Sequence, residues 1–331
     1  MVTNWLITGG CGFIGTRTIE KLLAQGDCRI RVIDNLCAGT QEDLAKVSIV
    51  QLDTAAQLTA WEKIEPGVCH LVVGDILDAE LAVKICEGAD VILHLAGNTG
   101  VGPSVENPRE DLLNNVLGTF HYLEAARTQQ VSRFVFASSG APVGEVEPPI
   151  HEELAPHPVS PYGASKLACE GYCSAYFRTF TVNTVVLRFS NVYGPGSNRK
   201  SSVVAKFIKQ AIAGEQLEIY GDGEQTRDYI FVDDLVNAVL LAASVVGIGG
   251  EIFQIATGRE TSLNQLSSLL ADAMRAQDVE PKMPIHSLPR LGDVKRNFSD
   301  TTKAKNRLGW APKMPLEKGL AITLHSLKTM Q

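Results

Sequence analysis

Two short motifs in this 331-residue chain carry side chains and glycines that can do chemistry together. A glycine-rich turn, TGGCGFIG, occupies residues 8–15, and the motif PYGASK places Tyr162 and Lys166 four residues apart. Residues four apart share one face of an α-helix, so both side chains can reach a single ligand. A phenol with an ordinary pKa of about 10 stays protonated at neutral pH, and a neighbouring ammonium group makes it a better base. The glycine-rich turn can hold a dinucleotide, so the two motifs together predict redox chemistry on an alcohol or a ketone.

The elements around these motifs follow an alternating order of strand and helix. Apolar runs predict strands at 5–8, 30–33, 71–73, 91–95 and 134–137, and helical patterns occupy 13–25, 81–86 and 112–129. This alternation predicts an α/β fold, with a doubly wound parallel sheet of the Rossmann type. We expect residues 34–67 to form a loop-rich connection with a short helix around Trp61. A proline-rich loop before residue 161 should lead into the helix of Tyr162.

A change in composition after the sheet pattern predicts a second, smaller domain. The glycines and proline of NVYGPGS at 191–197 mark the boundary. We therefore predict a cofactor-binding domain over 1–187 and a mainly substrate-binding domain over 188–331, some segments of which return to the first domain. Helices in the second domain are expected near 203–213, 235–244 and 263–276.

The glycine spacing also predicts which cofactor is bound. Gly9, Gly12 and Gly15 lie between the first strand and the first helix, where backbone N–H groups can approach a pyrophosphate. Asp34 ends the second strand, and a carboxylate there accepts hydrogen bonds from ribose hydroxyls and repels a 2′-phosphate. NAD is therefore favoured over NADP. Asp75, after the third predicted strand, is a further candidate contact to adenine.

Composition excludes several other classes of protein. The formal net charge is −7, so no basic surface predicts nucleic-acid binding. No apolar run approaches the length of about 20 residues that spans a bilayer, and no signal peptide is expected before the first strand. Seven cysteines without CxxC spacing predict reduced thiols and no metal site, and we expect Cys169 and Cys173 to be packing residues. The cytoplasm is the expected compartment.

Many motifs in order resemble one known family, the extended short-chain dehydrogenase/reductases. They are TGGCGFIG, DNL, GDI, HLAG, SVENP, NNVLGT, PYGASK, LRFSNVYGPG, GDGEQTRDYIFVDD, RLGDVKRNFSD and LGW. Within that family the chain is most similar to nucleotide-sugar epimerases of the UDP-glucose 4-epimerase type, from Thr3 to about Leu320. The resemblance implies a Rossmann fold, NAD as cofactor and a UDP-linked sugar as the expected substrate.

The resemblance also assigns residues to roles. The family's catalytic groups fall on Ser139, Tyr162 and Lys166. Cofactor contacts are implied at Gly9, Gly12, Phe13, Ile14, Gly15, Asp34, Asn35, Asp75, Ile76, Leu95, Ala96, Gly97, Asn115, Tyr162, Lys166 and Phe189. Substrate contacts are implied at Ser139, Asn191, Tyr220, Arg227, Arg290, Asp293 and Asn297. One departure is Val143, where the family usually has a tyrosine, and this changes the expected wall of the sugar pocket.

The mechanism implied by the family is inversion of the sugar C4 carbon. Tyr162 as phenolate takes the C4 hydroxyl proton while NAD accepts hydride, and return of the hydride to the other face of the 4-keto sugar inverts C4. A dehydratase would carry an acidic pair where Gly140 and Ala141 stand, and a decarboxylase or a 3,5-epimerase would carry a glutamate or a cysteine in this loop. Alternatives that stay open are epimerisation of another sugar such as UDP-glucuronate, a reductase, or a non-catalytic NAD-sensing protein.

Two further expectations follow from the resemblance. The helices at 112–129 and 162–177 carry apolar residues on more than one face, and the matching helices in the family form the four-helix bundle of a dimer, so a homodimer is expected. The position of Asn297 helps to form the wall of the pocket on the sugar's C2 side, and a tyrosine there is associated with exclusion of N-acetyl groups. The smaller Asn297 predicts that UDP-N-acetylglucosamine and its C4 epimer are accepted.

Overall fold

The computed structural model describes residues 2–200, 202–288 and 295–329. Its strands are β1 (Thr3–Thr8), β2 (Cys28–Asp34), β3 (Ile49–Asp53), β4 (Val68–Val73), β5 (Val91–His94), β6 (Arg133–Ser139), β7 (Thr184–Phe189), β8 (Asn191–Tyr193), β9 (Glu218–Tyr220), β10 (Thr226–Arg227), β11 (Tyr229–Phe231), β12 (Glu251–Ile255), β13 (Thr261–Ser262) and β14 (Ile285–Ser287). Its α-helices are α1 (Phe13–Gln25), α2 (Gln41–Ala45), α3 (Ala79–Cys86), α4 (Val101–Glu106), α5 (Pro108–Leu112), α6 (Gly118–Thr128), α7 (Pro161–Phe180), α8 (Val203–Ile212), α9 (Val232–Ser244), α10 (Leu263–Arg275) and α11 (Leu316–Lys328).

The chain divides into two compact units. The first unit comprises Met1–Gly144, Leu154–Arg188 and Ala238–Phe253, and the second comprises Glu145–Glu153, Phe189–Asn237 and Gln254–Gln331. Each unit therefore contains segments that are distant from one another in the sequence.

The main sheet has eight strands in the order β12-β7-β6-β5-β1-β2-β4-β3. The pairings of β1 with β2 and β5, of β4 with β2 and β3, and of β5 with β6 are all parallel. Strand order reverses on the two sides of β1, which is the arrangement of a doubly wound sheet. Every residue of β5 and β7 is buried, as expected for parallel strands covered on both faces by helices. The predicted α/β fold class is confirmed.

The segment 34–67 is more regular than the sequence predicts. It contains helix α2 and strand β3, and only its short 3₁₀ turn at Trp61–Lys63 was expected. β3 lies at the edge of the sheet, and Ile49 and Leu52 are 69% and 55% exposed. Because an edge strand buries few of its side chains, its sequence lacks the apolar run that identified the central strands.

The predicted helix over 112–129 is interrupted. It begins earlier, with α5, and passes through a π-helical turn at Leu113–Leu117 before α6. A π-helical turn carries one extra residue and often lies at a functional site. The predicted helix over 162–177 is also longer, because Ser160 caps α7 by accepting a hydrogen bond from the Gly163 N–H at 3.1 Å.

The second unit is organised around a separate apolar core, formed by side chains from α8, α10, α11 and the short strands β9 and β11. Helix α11 was not expected from the sequence. Asp234 fixes the approach to this helix, because its Oδ2 accepts hydrogen bonds from the backbone N–H groups of Lys313 and Met314 at 2.9 and 2.8 Å. In the described ranges, no helix is long and apolar enough to cross a membrane.

A buried ion pair fastens α7 to β7 within the first unit. Arg188 donates two hydrogen bonds to Glu170, at 2.9 and 2.7 Å, and Ser138 donates a third at 2.6 Å. Both charged side chains are at most 3% exposed. Removing one partner of such a pair leaves an uncompensated buried charge.

We therefore expect Glu170→Ala to lower the free energy of unfolding by about 3 kcal/mol or more, measured by urea denaturation. The matched control is Asp272→Ala, which breaks the exposed pair of Asp272 with Arg275 and should cause a much smaller loss. Equal losses in the two variants would contradict this account of the Arg188 site.

Candidate active site

The glycine-rich turn connects β1 to α1 and is packed too closely for larger residues. A Cβ atom added to Gly15 would lie 2.6 Å from the Gly9 carbonyl oxygen, so only glycine fits there. The turn ends at Gly12, which caps α1 without a side chain. The first N–H groups of α1 are therefore free of any side-chain cap, and this is the donor set that a pyrophosphate needs.

Asp34 ties the end of β2 to this turn. Its Oδ2 accepts a hydrogen bond from the Cys11 N–H at 3.0 Å, and its Oδ1 accepts one from the Leu36 N–H at 2.8 Å. Burial raises the pKa of Asp34, and these two hydrogen bonds oppose the shift. Nearby, Asn35 donates to Asp75 at 3.1 Å, and both of these side chains are exposed. The carboxylates of Asp34 and Asp75 thus follow neighbouring strands, β2 and β4.

The predicted catalytic groups come together at the ends of β6 and α7. Ser139 is the last residue of β6, and Tyr162 and Lys166 lie in the first two turns of α7. Ser139 hydrogen-bonds the Tyr162 hydroxyl, but burial dominates and raises the pKa of Tyr162 to about 12. The Tyr162 side chain is therefore a protonated phenol until additional positive charge is placed beside it.

Lys166 shares the first two turns of α7 with that tyrosine. Its ammonium group is buried, donates a hydrogen bond to the Ala137 carbonyl at 3.0 Å and lies 4.8 Å from the centre of the Phe136 ring. Burial lowers the pKa of Lys166. Contacts with a carbonyl and with an aromatic face both favour the charged form, so they oppose the effect of burial.

Asn115 lies within the π-helical turn and faces the lysine. Its Nδ2 donates to Asp111 Oδ1 at 3.1 Å and to Ser165 Oγ at 2.9 Å. Gly97 has a φ of +150°, and a Cβ there would lie 2.6 Å from Asn115 Oδ1 and 3.7 Å from Lys166 Nζ. The HLAG segment therefore needs glycine at this point, because both polar groups approach the backbone.

His94 is a structural member of this site. Thr8 and Thr119 hydrogen-bond its two ring nitrogens, at 3.0 and 3.2 Å. Burial and the neighbouring charge of Lys166 lower the pKa of His94 to about 3, so the ring is neutral. Sequence reasoning assigned His94 no role, since a histidine inside an apolar strand has no distinctive spacing.

Most of the remaining cofactor-side residues lie in the first unit. Phe13 and Ile14 begin α1, Leu95 and Ala96 follow β5, and Ile76 lies in the turn after β4. The Thr8 hydroxyl accepts a hydrogen bond from the Ala96 N–H at 3.1 Å, which joins the segment after β5 to β1. Phe189, the last residue of β7, is the first residue of the second unit.

Apart from Ser139, the described substrate-side candidates lie in the second unit. Asn191 begins β8 and donates to the Asp228 carbonyl at 3.1 Å, and Arg227 ends β10. Tyr220 lines a cleft with Ser287, and its hydroxyl donates to Glu218 at 2.9 Å. The predicted contacts Arg290 and Asp293 lie outside the described residues.

Asn297 and Val143 differ in their burial. Asn297 is half-buried, and its side chain has no hydrogen-bond partner among the described residues. The adjacent Arg296 is held by Glu260 at 2.7 and 2.9 Å and by Glu147 at 2.7 Å. Val143 is fully buried in the loop after β6, and its carbonyl accepts a hydrogen bond from the His157 N–H at 3.1 Å.

Other kinds of site find no support. All seven cysteines are free thiols, and Cys169 and Cys173 are buried in the core of the first unit, as expected for packing residues. The described part of the chain contains no cluster of histidine, cysteine or carboxylate side chains suited to a metal ion. The groups present fit NAD: a helix N-terminus without a side-chain cap for a pyrophosphate, an acceptor at the end of β2 and a Tyr–Lys pair.

Comparison with known proteins agrees with this geometry. Residues 5–256 match the model of the NAD dependent epimerase/dehydratase family. The chain is 38% identical over 324 residues to a UDP-glucose 4-epimerase of Mycolicibacterium smegmatis, covering 96% of each chain. It is similar to the structure of a UDP-glucose 4-epimerase from Thermotoga maritima with UDP-glucose (36% identity, 99% of each chain covered, TM-score 0.87).

A third similar protein acts on a different sugar. The structure of a UDP-N-acetylglucosamine 4-epimerase from Methanobrevibacter ruminantium, in complex with UDP-N-acetylmuramic acid, has 28% identity, 99% of each chain covered and a TM-score of 0.87. The resemblance found in the sequence is confirmed by the family match and by these relatives. The chain belongs to the NAD-dependent epimerase/dehydratase family of enzymes.

Proposed function

We propose that this protein is an NAD-dependent epimerase that inverts C4 of a UDP-linked sugar. The observation that carries the proposal is the constellation of Ser139, Tyr162 and buried Lys166 beside a dinucleotide-type turn. Supporting it are the relatives named as UDP-glucose 4-epimerases over nearly the whole chain. The loop after Ser139 continues Gly-Ala-Pro-Val, so it lacks the acid that a dehydratase would need there.

Each catalytic side chain has one task in this mechanism. When bound, NAD would supply the acceptor for a hydride from C4 of the sugar and the source of the hydride that returns. Tyr162 takes the proton of the C4 hydroxyl and gives it back, and Ser139 hydrogen-bonds the same oxygen. Lys166 stabilises the phenolate form of Tyr162 through its charge. Inversion follows when the other face of the ketone receives the hydride.

The cofactor-side residues would hold and orient NAD. The N–H groups at the start of α1 bind the pyrophosphate, and Asp34 accepts hydrogen bonds from the adenosine ribose. On the substrate side, the guanidinium of Arg227 suits the diphosphate, since its planar fork pairs with phosphate oxygens. The same role is proposed for Arg290, with Asn191, Tyr220 and Asp293 as further nucleotide contacts.

We also infer a cytoplasmic location, which the seven free thiols support.

The first test is Tyr162→Phe. Loss of the phenol oxygen should reduce kcat by about a hundred- to ten-thousandfold, while NAD stays bound because the phenol is one of many cofactor contacts. Epimerisation of UDP-glucose is followed by proton NMR, and bound NAD is measured after denaturation of the protein. Tyr172→Phe, the same change on an exposed position of α7, is the control and should retain activity. Wild-type turnover by Tyr162→Phe would remove the tyrosine from the mechanism.

We propose further that the protein is a homodimer through the outer face of α6 and α7. Phe120, Tyr172, Tyr176 and Phe180 form a chain of edge-on aromatic contacts there. Tyr172 and Phe180 remain 42% and 46% exposed, and Leu112 on α5 is 55% exposed. A contiguous apolar face of this kind is typical of an interface between protein chains.

Light scattering should therefore give a mass of twice 35.7 kDa at micromolar concentration. Tyr172→Glu places a charge in the aromatic face and should shift the protein to the monomer. Val246→Glu introduces the same charge at an 86% exposed apolar position in the loop after α9, and this control should remain a dimer. A wild-type monomer, or equal masses for the two variants, would count against this interface.

A further test concerns the size of the sugar. Because Asn297 has no hydrogen-bond partner among the described residues, its amide can serve a 2-acetamido group. We expect turnover of UDP-N-acetylglucosamine and its C4 epimer, alongside or in preference to UDP-glucose. Asn297→Tyr should lower kcat/KM for the acetylated sugar at least about tenfold more than for UDP-glucose. Equal losses on both sugars would show that Asn297 does not determine pocket size.

A further inference from the structure

Asp111 is a buried acid for which the proposed mechanism has no role. It lies near the end of α5, immediately before the π-helical turn, and is 1% exposed. Its Oδ1 accepts the hydrogen bond from Asn115, whereas its Oδ2 has no hydrogen-bond partner in the described part of the chain. A buried carboxylate oxygen without a donor destabilises the folded state, so its presence points to a role outside folding.

The first consequence of Asp111 is the orientation of an amide. Asn115 Nδ2 donates to two acceptors, Asp111 Oδ1 and Ser165 Oγ, which fixes the nitrogen end of the carboxamide. The oxygen end then faces Gly97, and the same point beside Gly97 is approached by the Lys166 ammonium. Without the acceptor at Asp111, the amide loses the contact that distinguishes its two ends.

The second consequence is electrostatic. Several titratable groups surround Tyr162 and Lys166. The thiols of Cys169 and Cys173 are neutral, because burial raises the pKa of both, and Cys169 donates to the Asn115 carbonyl at 3.3 Å. His94 is neutral for the reason given above.

Two acids remain near the pair, and they differ in their partners. Glu170 is neutralised by Arg188 in the buried ion pair. Asp111 Oδ2 has no hydrogen-bond partner within the described residues, so no donor offsets the charge that this carboxylate places near the catalytic pair. Burial lowers the pKa of Lys166 and raises the pKa of Tyr162, and the charge of Asp111 opposes the first shift and adds to the second.

We propose that Asp111 is a positioning residue of the epimerase site: its buried carboxylate orients the Asn115 carboxamide and balances the charge of the Lys166 ammonium. The proposal rests on the proposed function. The balance keeps Lys166 protonated in spite of its burial, and it keeps Tyr162 a neutral phenol while no other cation is present. A positively charged ring bound beside Tyr162 would then favour its phenolate form.

The test is Asp111→Asn, which keeps the shape and an acceptor for Asn115 but removes the charge. Loss of a nearby negative charge favours phenolate, so the midpoint of Tyr162 ionisation should fall by about half a pH unit or more. It is measured from tyrosinate absorbance, with and without NAD, after subtraction of the spectrum of Tyr162→Phe in the same background. The acidic limb of the kcat profile should move to lower pH in the same direction.

Two further variants complete the experiment. Asp111→Ala removes charge and acceptor together, so it should show the same shift and a larger fall in kcat. Glu110→Gln removes an equal charge from the neighbouring exposed position of α5, where solvent screens it, and should leave the midpoint unchanged.

The outcomes separate this proposal from the proposed function. The proposal for Asp111 is supported if the midpoint of Tyr162 ionisation falls in both Asp111 variants and does not change in Glu110→Gln. This holds whether or not the wild type epimerises the sugars tried. An unchanged or higher midpoint overturns it, even if both variants are less stable, because a purely structural acid would alter stability alone. Absence of epimerisation by the wild type with an intact shift would refute the epimerase assignment and leave the electrostatic role of Asp111 in place.

Discussion

The arrangement of the site depends on keeping one ammonium group charged inside the protein. Moving a lysine side chain out of water disfavours its charged form, and the surroundings of Lys166 counter that in several ways at once. A carbonyl from β6 accepts a hydrogen bond from it, the Phe136 ring lies against it, and Asp111 supplies a negative charge. In the proposed mechanism Tyr162 depends on that charge, because the phenol has a pKa of about 12 in its buried position.

The parallel sheet brings these groups to the carboxyl ends of its central strands. β1, β2, β5 and β6 run in the same direction, so the carboxyl ends of these strands lie together. The glycine-rich turn and Gly97 follow such ends, and Asp34 and Ser139 are the last residues of β2 and β6. Helix α7 completes the set, and the ion pair of Glu170 with Arg188 connects that helix to β7. The ion pair lies about two helical turns from Tyr162 and so helps to fix the position of that residue through core packing.

The sequence predicts the parts of the fold that have strong periodic patterns. Helix α1 and the central strands were found because they combine buried runs with clear turn residues, and the Tyr–Lys spacing predicted the helix that carries the proposed catalytic pair. The edge strand β3 and helix α11 were missed, the first because few of its side chains are buried. The π-helical turn at Leu113–Leu117 was also missed, since one inserted residue hardly changes a helical pattern. Asp111 and His94 could not be assigned roles, because burial and pairing are three-dimensional properties that spacing does not report.

Asp34 has two roles, and the sequence indicates only one of them, the expected contact with ribose. The same carboxylate that faces the expected ribose also receives the N–H groups of Cys11 and Leu36, and so holds the glycine-rich turn against the end of β2. Redesign of this enzyme toward a phosphorylated cofactor would therefore be more than a change of charge. A small or basic residue at this position would leave two backbone donors without their acceptor, and a successful design would need to supply a neutral hydrogen-bond acceptor in the same place.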